Sequence, residues 1–137
     1  MILDDSKFDR RRIRRISRQT GLPTILDEVT TITGLCDSLD EGRFNLIFLA
    51  CRLSEGDGLN ALMLVRRHPT RRQCPVIMLA NGDDPDVASR ALHMGCSGYL
   101  SKSHLTAQGL RRAVVAANDA ADRAAKAGRL SGARPLK

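Results

Sequence analysis

The chain has no tryptophan, one tyrosine and three phenylalanines in 137 residues. Aromatic faces on which single-stranded nucleic acid could stack are therefore poorly supplied. No Cys-x-x-Cys pair occurs; Cys36, Cys51, Cys74 and Cys96 are widely spaced, with no histidine cluster beside them. That pattern speaks against zinc or a disulfide framework and for buried free thiols. His68, His93 and His104 fall in three separate segments without a partner pattern for metal or nucleophilic chemistry. They read as surface or helix-end residues. No apolar run approaches the roughly 18 residues of a membrane span, and no secretory signal opens the chain. The expected location is cytoplasmic, with no membrane partner.

What is present is ordinary for one globular domain. The 42% hydrophobic and 27% charged residues supply one core and a charged surface. Short apolar strands alternate with helical patterns, which implies a parallel sheet covered on both faces. A clipped first strand at residues 1–3 leads to a helix over 7–20, capped by Asp5 or Ser6, with Phe8, Ile13 and Ile16 facing inward. A second strand is expected at 24–29 and a second helix at 33–41, with Leu35 and Leu39 inward and Gly42 as its stop. The third strand covers 46–50. The third helix starts near Gly58 and turns Leu59, Leu62 and Val65 to the core. A fourth strand follows at 75–80. Asp84 or Asp86 starts the fourth helix, which Gly95 ends. The fifth strand covers 98–101, and a fifth helix begins near Leu105. Five β–α units imply an α/β, flavodoxin-like, doubly wound five-stranded parallel sheet of order 2-1-3-4-5, with helices on both faces.

The last helix is long. Leu110, Val114, Ala117, Ala121 and Ala124 recur at spacings of 4, 3, 4 and 3. Two readings stand: an alanine-rich helix fraying into a basic tail, or a small-residue seam for a second helix, as in a homodimer. Residues 1–118 are expected to form the domain. Residues 119–137 would be the extension of helix five, with disorder from Gly128 onward.

The net charge of +7 is unevenly placed. Lys7, Arg10, Arg11, Arg12, Arg14, Arg15 and Arg18 face a single acid, Asp9, in the first helix. Arg66, Arg67, Arg71 and Arg72 form a second cluster. Such density fits an acidic partner, nucleic acid or a solvated face.

In an open α/β sheet the functional crevice lies at the carboxyl ends of the strands. Here those ends carry Asp4 and Asp5, Ala50, Ala80 and Lys102. The separations are 45 residues from Asp5 to Ala50, 30 to Ala80 and 22 to Lys102. This pattern, with the segment 44–59 and the run Gly98-Tyr99-Leu100-Ser101-Lys102, resembles the receiver domain of two-component response regulators over about residues 1–118. The resemblance implies a cytoplasmic, bacterial phosphorelay module. In that family an acidic pair helps hold Mg²⁺, an aspartate after the third strand accepts phosphate, a Ser or Thr after the fourth reads it, and a lysine closes the pocket. By that comparison Asp4, Asp5 and Lys102 are retained, while the acceptor is Ala50 and the hydroxyl residue Ala80. A methyl group neither attacks phosphorus nor ligates a metal. Mg²⁺ needs near-octahedral oxygens, so cofactor binding is expected to be weak or absent, confined at most to Asp4 and Asp5. Their other reading is helix capping with an ion pair to Lys102. Ser103 stands where the family usually has proline after the lysine. Tyr99 matches the family's aromatic switch; it rests inward, mimicking activation, or is part of the surface.

The leading expectation is a pseudo-receiver, a non-enzymatic interaction module that works without phosphorylation. Arg11, Arg14, Arg15 and Arg18 would dock a sensor kinase, a phosphotransfer protein or another protein with an acidic surface. The alternatives are a nucleic-acid-binding regulator using the arginine-rich helix and basic tail, and an atypical receiver sensing a small ligand in the altered pocket.

Overall fold

The computed structural model describes residues 1–42, 44–54, 56–82 and 84–131, the last four by their backbone only. Five strands, β1 (Ile2–Leu3), β2 (Glu28–Val29), β3 (Ile47–Ala50), β6 (Val76–Ala80) and β7 (Gly98–Ser101), form one parallel sheet in the order β2-β1-β3-β6-β7. Two further strands, β4 (Arg52–Leu53) and β5 (Gly56–Asp57), pair antiparallel as a small hairpin after β3. The helices are α1 (Lys7–Gln19), α2 (Ile32–Glu41), α3 (Gly58–Arg67), α4 (Pro85–His93) and α5 (Ala107–Ser131). The five-stranded order is the expected doubly wound arrangement. The hairpin was not expected.

β3 and β6 are buried along their whole length, on both faces. Near-continuous apolar runs such as Val76-Ile77-Met78-Leu79-Ala80 are what a strand covered twice requires. One face packs Leu3, Leu49 and Met78 against Leu35, Leu39, Leu62 and Val65 of α2 and α3. The other packs Ile2, Phe48, Ile77 and Leu79 against Ile13 and Ile16 of α1 and Leu110 and Ala117 of α5. Helix starts follow local chemistry. Ser6, Thr31, Asp57 and Asp84 each accept a backbone N–H of the first turn. Gly42 ends α2 at φ 70°, a left-handed conformation that glycine adopts without strain.

Several expectations differ from the structure. Phe8 is 76% exposed rather than inward. It lies five residues before Ile13, about 140° away around a helix of 3.6 residues per turn. Asp9, four before Ile13, takes the inner position instead. The second strand is only Glu28–Val29, because β1 offers just Ile2 and Leu3 to pair with it; Ile25 is left 90% exposed. Of the four thiols only Cys96 is buried; the other three are half-buried, and all four are free. Helix α5 runs through Gly128 to Ser131 rather than ending in disorder there. One glycine in an alanine-rich helix costs only about 1 kcal/mol. The expected disordered tail from 132 lies outside the described residues. No helix among the described residues is long and apolar enough to cross a membrane.

Candidate functional site

The carboxyl ends of β1, β3, β6 and β7 lie at one end of the parallel sheet, and Asp4, Asp5, Ala50, Ala80 and Lys102 fall at or just beyond them. Asp4 follows β1 and is 1% exposed. One of its carboxylate oxygens accepts the Ser6 amide at 2.9 Å; the other accepts the Lys102 ammonium at 2.7 Å. Lys102 is itself 6% exposed and also donates to Asp9 at 2.9 Å. Asp9 was not among the sequence candidates. Its signal was there: it is the single acid among the basic residues of the first helix, one turn before Ile13 and hence on the inward stripe. Burial works to lower the Lys102 pKa, but the bonds to Asp4 and Asp9 outweigh it and hold it above its ordinary 10.5.

Asp5 points elsewhere. Its carboxylate accepts both the backbone N–H and the hydroxyl of Ser54, in the loop between β4 and β5. These bonds hold Asp5 below its ordinary pKa. Ala50 and Ala80, at 0% and 3% exposure, close the floor with methyl groups. The loop after β3 runs tight against that floor. Gly58 donates its N–H to the Cys51 carbonyl at 2.9 Å, and a Cβ on Gly58 would lie 2.1 Å from the Ala50 carbonyl oxygen. Only glycine fits.

The donor set does not suit Mg²⁺. One carboxylate is paired with an ammonium, the other with Ser54, and the third position is an alanine. Among the described residues no three His, Cys, Asp or Glu side chains gather closely enough to hold a metal ion. The peptide after Lys102 is trans, since no cis bond occurs among the described residues.

Tyr99 lies one strand over, paired with Met78 in register. Its ring is half-buried and its hydroxyl oxygen is shielded from solvent. It interacts with the Cys51 thiol, which burial pushes up to about 11, so this thiol stays protonated and unreactive. Beside Tyr99 a cavity of about 530 Å³ is lined by Ala80, Leu59, Val87 and the rim residues Arg52 and Arg90.

The arginines of α1 divide into two sets. Arg10 donates to Glu28 at 2.7 Å and to the Asp4 carbonyl at 2.7 Å. Arg12 donates to the Lys102 carbonyl. Arg14 bonds Glu28 and, at 2.9 Å, the Leu26 carbonyl. Glu28 is accordingly held below its ordinary pKa, by Arg14 first and Arg10 second. Arg11, Arg15 and Arg18 are exposed and make no such bond among the described residues. Arg14 therefore sits apart from the free cationic ridge with which the sequence grouped it. The second cluster divides in the same way. Arg66 donates to the carbonyls of Gly95, Arg72 and Cys74, and Arg71 to that of Gly42, whereas Arg67 and Arg72 are exposed. Of the histidines, His93 and His104 are exposed, and His68 at the end of α3 contacts Asp40 at 2.9 Å.

The comparisons agree with this geometry. The family model for the response regulator receiver domain matches residues 1–115. The fold is similar to a response regulator receiver domain from Rhodospirillum rubrum, at 25% identity and TM-score 0.71, covering 81% of this chain and 87% of that one. It is similar to the signal receiver domain of an HD domain-containing protein from Pseudomonas fluorescens, at 21% identity and TM-score 0.76, covering 89% and 94%. It is also similar to the N-terminal domain of a response regulator/sensory box/GGDEF three-domain protein from Carboxydothermus hydrogenoformans, at 25% identity and TM-score 0.70, covering 93% and 95%. No curated protein matches the chain significantly. With five parallel strands in this order, the crevice at their carboxyl ends and a match over 115 residues, the chain belongs to the receiver domain family of two-component response regulators.

Proposed function

We propose that this receiver works without phosphorylation, as a pseudo-receiver that docks protein partners in two-component or phosphorelay signalling. The observation that carries this reading is the buried ammonium of Lys102 held by Asp4 and Asp9 beside two alanine methyls. Phosphoryl transfer needs a nucleophile and a metal to neutralise the developing charge. The pocket supplies no carboxylate at residue 50, and its remaining acids already have partners. It works neither as a phosphoacceptor nor as a Mg²⁺ site on this reading, and no other catalytic constellation is assembled in it. Incubation with acetyl phosphate and Mg²⁺, followed by intact-mass measurement, should show no added phosphoryl group. A stable adduct on Asp4 or Asp5 would sink the proposal.

The partner surface is the outer ridge of α1. Arg11, Arg15 and Arg18 recur at helical spacing, exposed and unpaired among the described residues, and such a ridge suits an acidic protein face on a sensor kinase or phosphotransfer protein. Replacing these three by Glu should leave stability within about 0.5 kcal/mol and abolish capture of the protein partner together with its salt dependence. The ridge also supports a second reading, a nucleic-acid contact, which the same variant tests by gel shift. Unchanged partner capture would leave the face around Tyr99 as the docking surface. Assembly through α5 is the remaining partner proposal, resting on the exposed alanines beyond Ala121.

A further inference from the structure

At the other end of the sheet, beneath the amino-terminal half of β3, lies a second cavity of about 240 Å³. It exists because β2 is short. Residues 22–26 do not extend the sheet, and the gap they leave opens between α1, β3 and α5. Its apolar walls include Leu46, Phe48, Leu110 and Val114, with Ile25 at the mouth. No ionisable side chain lines it. The Met1 amino group, which borders it, donates to the Leu46 carbonyl at 3.0 Å. One polar group is out of place. Ser17 of α1 lines the cavity at 5% exposure, and its hydroxyl has no hydrogen-bond partner among the described residues. Buried hydroxyls without partners are uncommon and call for an explanation.

We propose that this cavity is a binding site for a small, uncharged, largely apolar molecule of bicyclic-aromatic size, which carries one hydrogen-bonding group for Ser17. Size sets the upper limit: an apolar cavity of about 150 Å³ takes benzene, so this one takes a fused second ring. The one charged group at its border, the Met1 amino group, already donates to the Leu46 carbonyl and burial lowers its pKa, so the cavity favours an uncharged ligand over a phosphate or carboxylate. Ser17 supplies the unpartnered hydroxyl for one donor or acceptor; Thr20, Thr24, Asn45 and Asn118 are the other polar side chains of the lining. The site goes beyond partner docking. Its walls belong to α1, β3 and α5, so an occupant sets the packing of α1 against α5, far from the crevice that holds Lys102.

Indole is the probe, because it combines this shape with one N–H, and indene is its counterpart without the N–H. Titration of the intact ¹⁵N-labelled protein should show saturable indole binding, with a dissociation constant on the order of 0.1–1 mM for so few atoms. Shifts should centre on residues 17–26 and 110–118. Ser17→Ala should weaken indole about fivefold and leave indene unchanged; its fold is secure, since it removes an unpartnered hydroxyl. Val114→Phe, filling the cavity, should abolish binding of both. The proposal is overturned by absence of saturable binding, by shifts centred on Tyr99 and Ala80 instead, by binding that survives Val114→Phe in a folded protein, or by equal indole affinity in Ser17→Ala.

Discussion

The two walls of the crevice, the flanks beyond β1 and β7 and the centre beyond β3 and β6, differ in chemistry. The flanks, beyond β1 and β7, carry charges that pair with one another: Asp4, Asp9 and Lys102 form a largely buried three-membered cluster. The β3–β6 wall presents methyl groups; Ala50 and Ala80 are packed like any core residue. A receiver crevice normally needs both walls to act on one ligand. On the proposed reading, one wall supports the fold and the other is silent. Lys102 bridges two carboxylates.

The largest effect should come from breaking the charged wall. Lys102→Met strips the cation from Asp4 at 1% exposure. An uncompensated buried charge costs about 3–5 kcal/mol, readable as a lowered urea midpoint. Adding Asp4→Asn should recover part of that loss. If Lys102→Met is neutral, the cluster is not what holds α1 to the end of β7.

A smaller effect should follow from restoring the silent wall. Ala50→Asp places a carboxylate at a fully buried position and should cost about 1–3 kcal/mol. Even where it accepts phosphate slowly, Ala80 has no hydroxyl to read it. Tyr99 is the single tyrosine and there is no tryptophan, so intrinsic fluorescence reports on that ring alone. The signal should not change on adding acetyl phosphate. A phosphate-dependent change would show that the hydroxyl at residue 80 is dispensable.

The smallest effect concerns pH. The folded-state pKa of Lys102 lies above 10.5, so its stabilisation is complete below that value and is lost only as pH rises through the raised one. Asp5 lies below 3.8, so its contribution is present above that value and fades as pH falls through the lowered one. Between about pH 5 and pH 9 these two groups should leave stability flat. A slope in that window from urea titrations would point to another titrating group.

The sheet order and most of the strands were legible because they depend on periodicity and on spacing along the chain, whereas the second strand was expected at 24–29 and the β4–β5 hairpin not at all. β7 at Gly98–Ser101 and the start of α3 at Gly58 fall where glycine punctuation and apolar runs place them. What escaped depends on distant partners. Asp9 meets Lys102 across 93 residues, and Ser54 meets Asp5 across 49. The inward stripe of the first helix marks Asp9 as turned to the core, but which residue it meets there is not encoded locally. Phe8 was misplaced because hydrophobicity was read without the angle around the helix. The arginines of α1 looked alike because composition does not say which cation reaches Glu28 or a carbonyl.

The Arg12 bond to the Lys102 backbone carbonyl completes a closed loop of bonds. Starting from Asp9, it passes through the Lys102 side chain to the Lys102 backbone, then through Arg12 back to the same turn of α1. Helix and strand end are thus riveted at two points, and two rivets prevent rotation where one would permit it. A partner that tilts α1 must break this loop or carry the end of β7 with it. Tyr99, three residues upstream, would be levered along. Torque on the surface ridge could then reach the tyrosine face without any chemistry in the crevice between them.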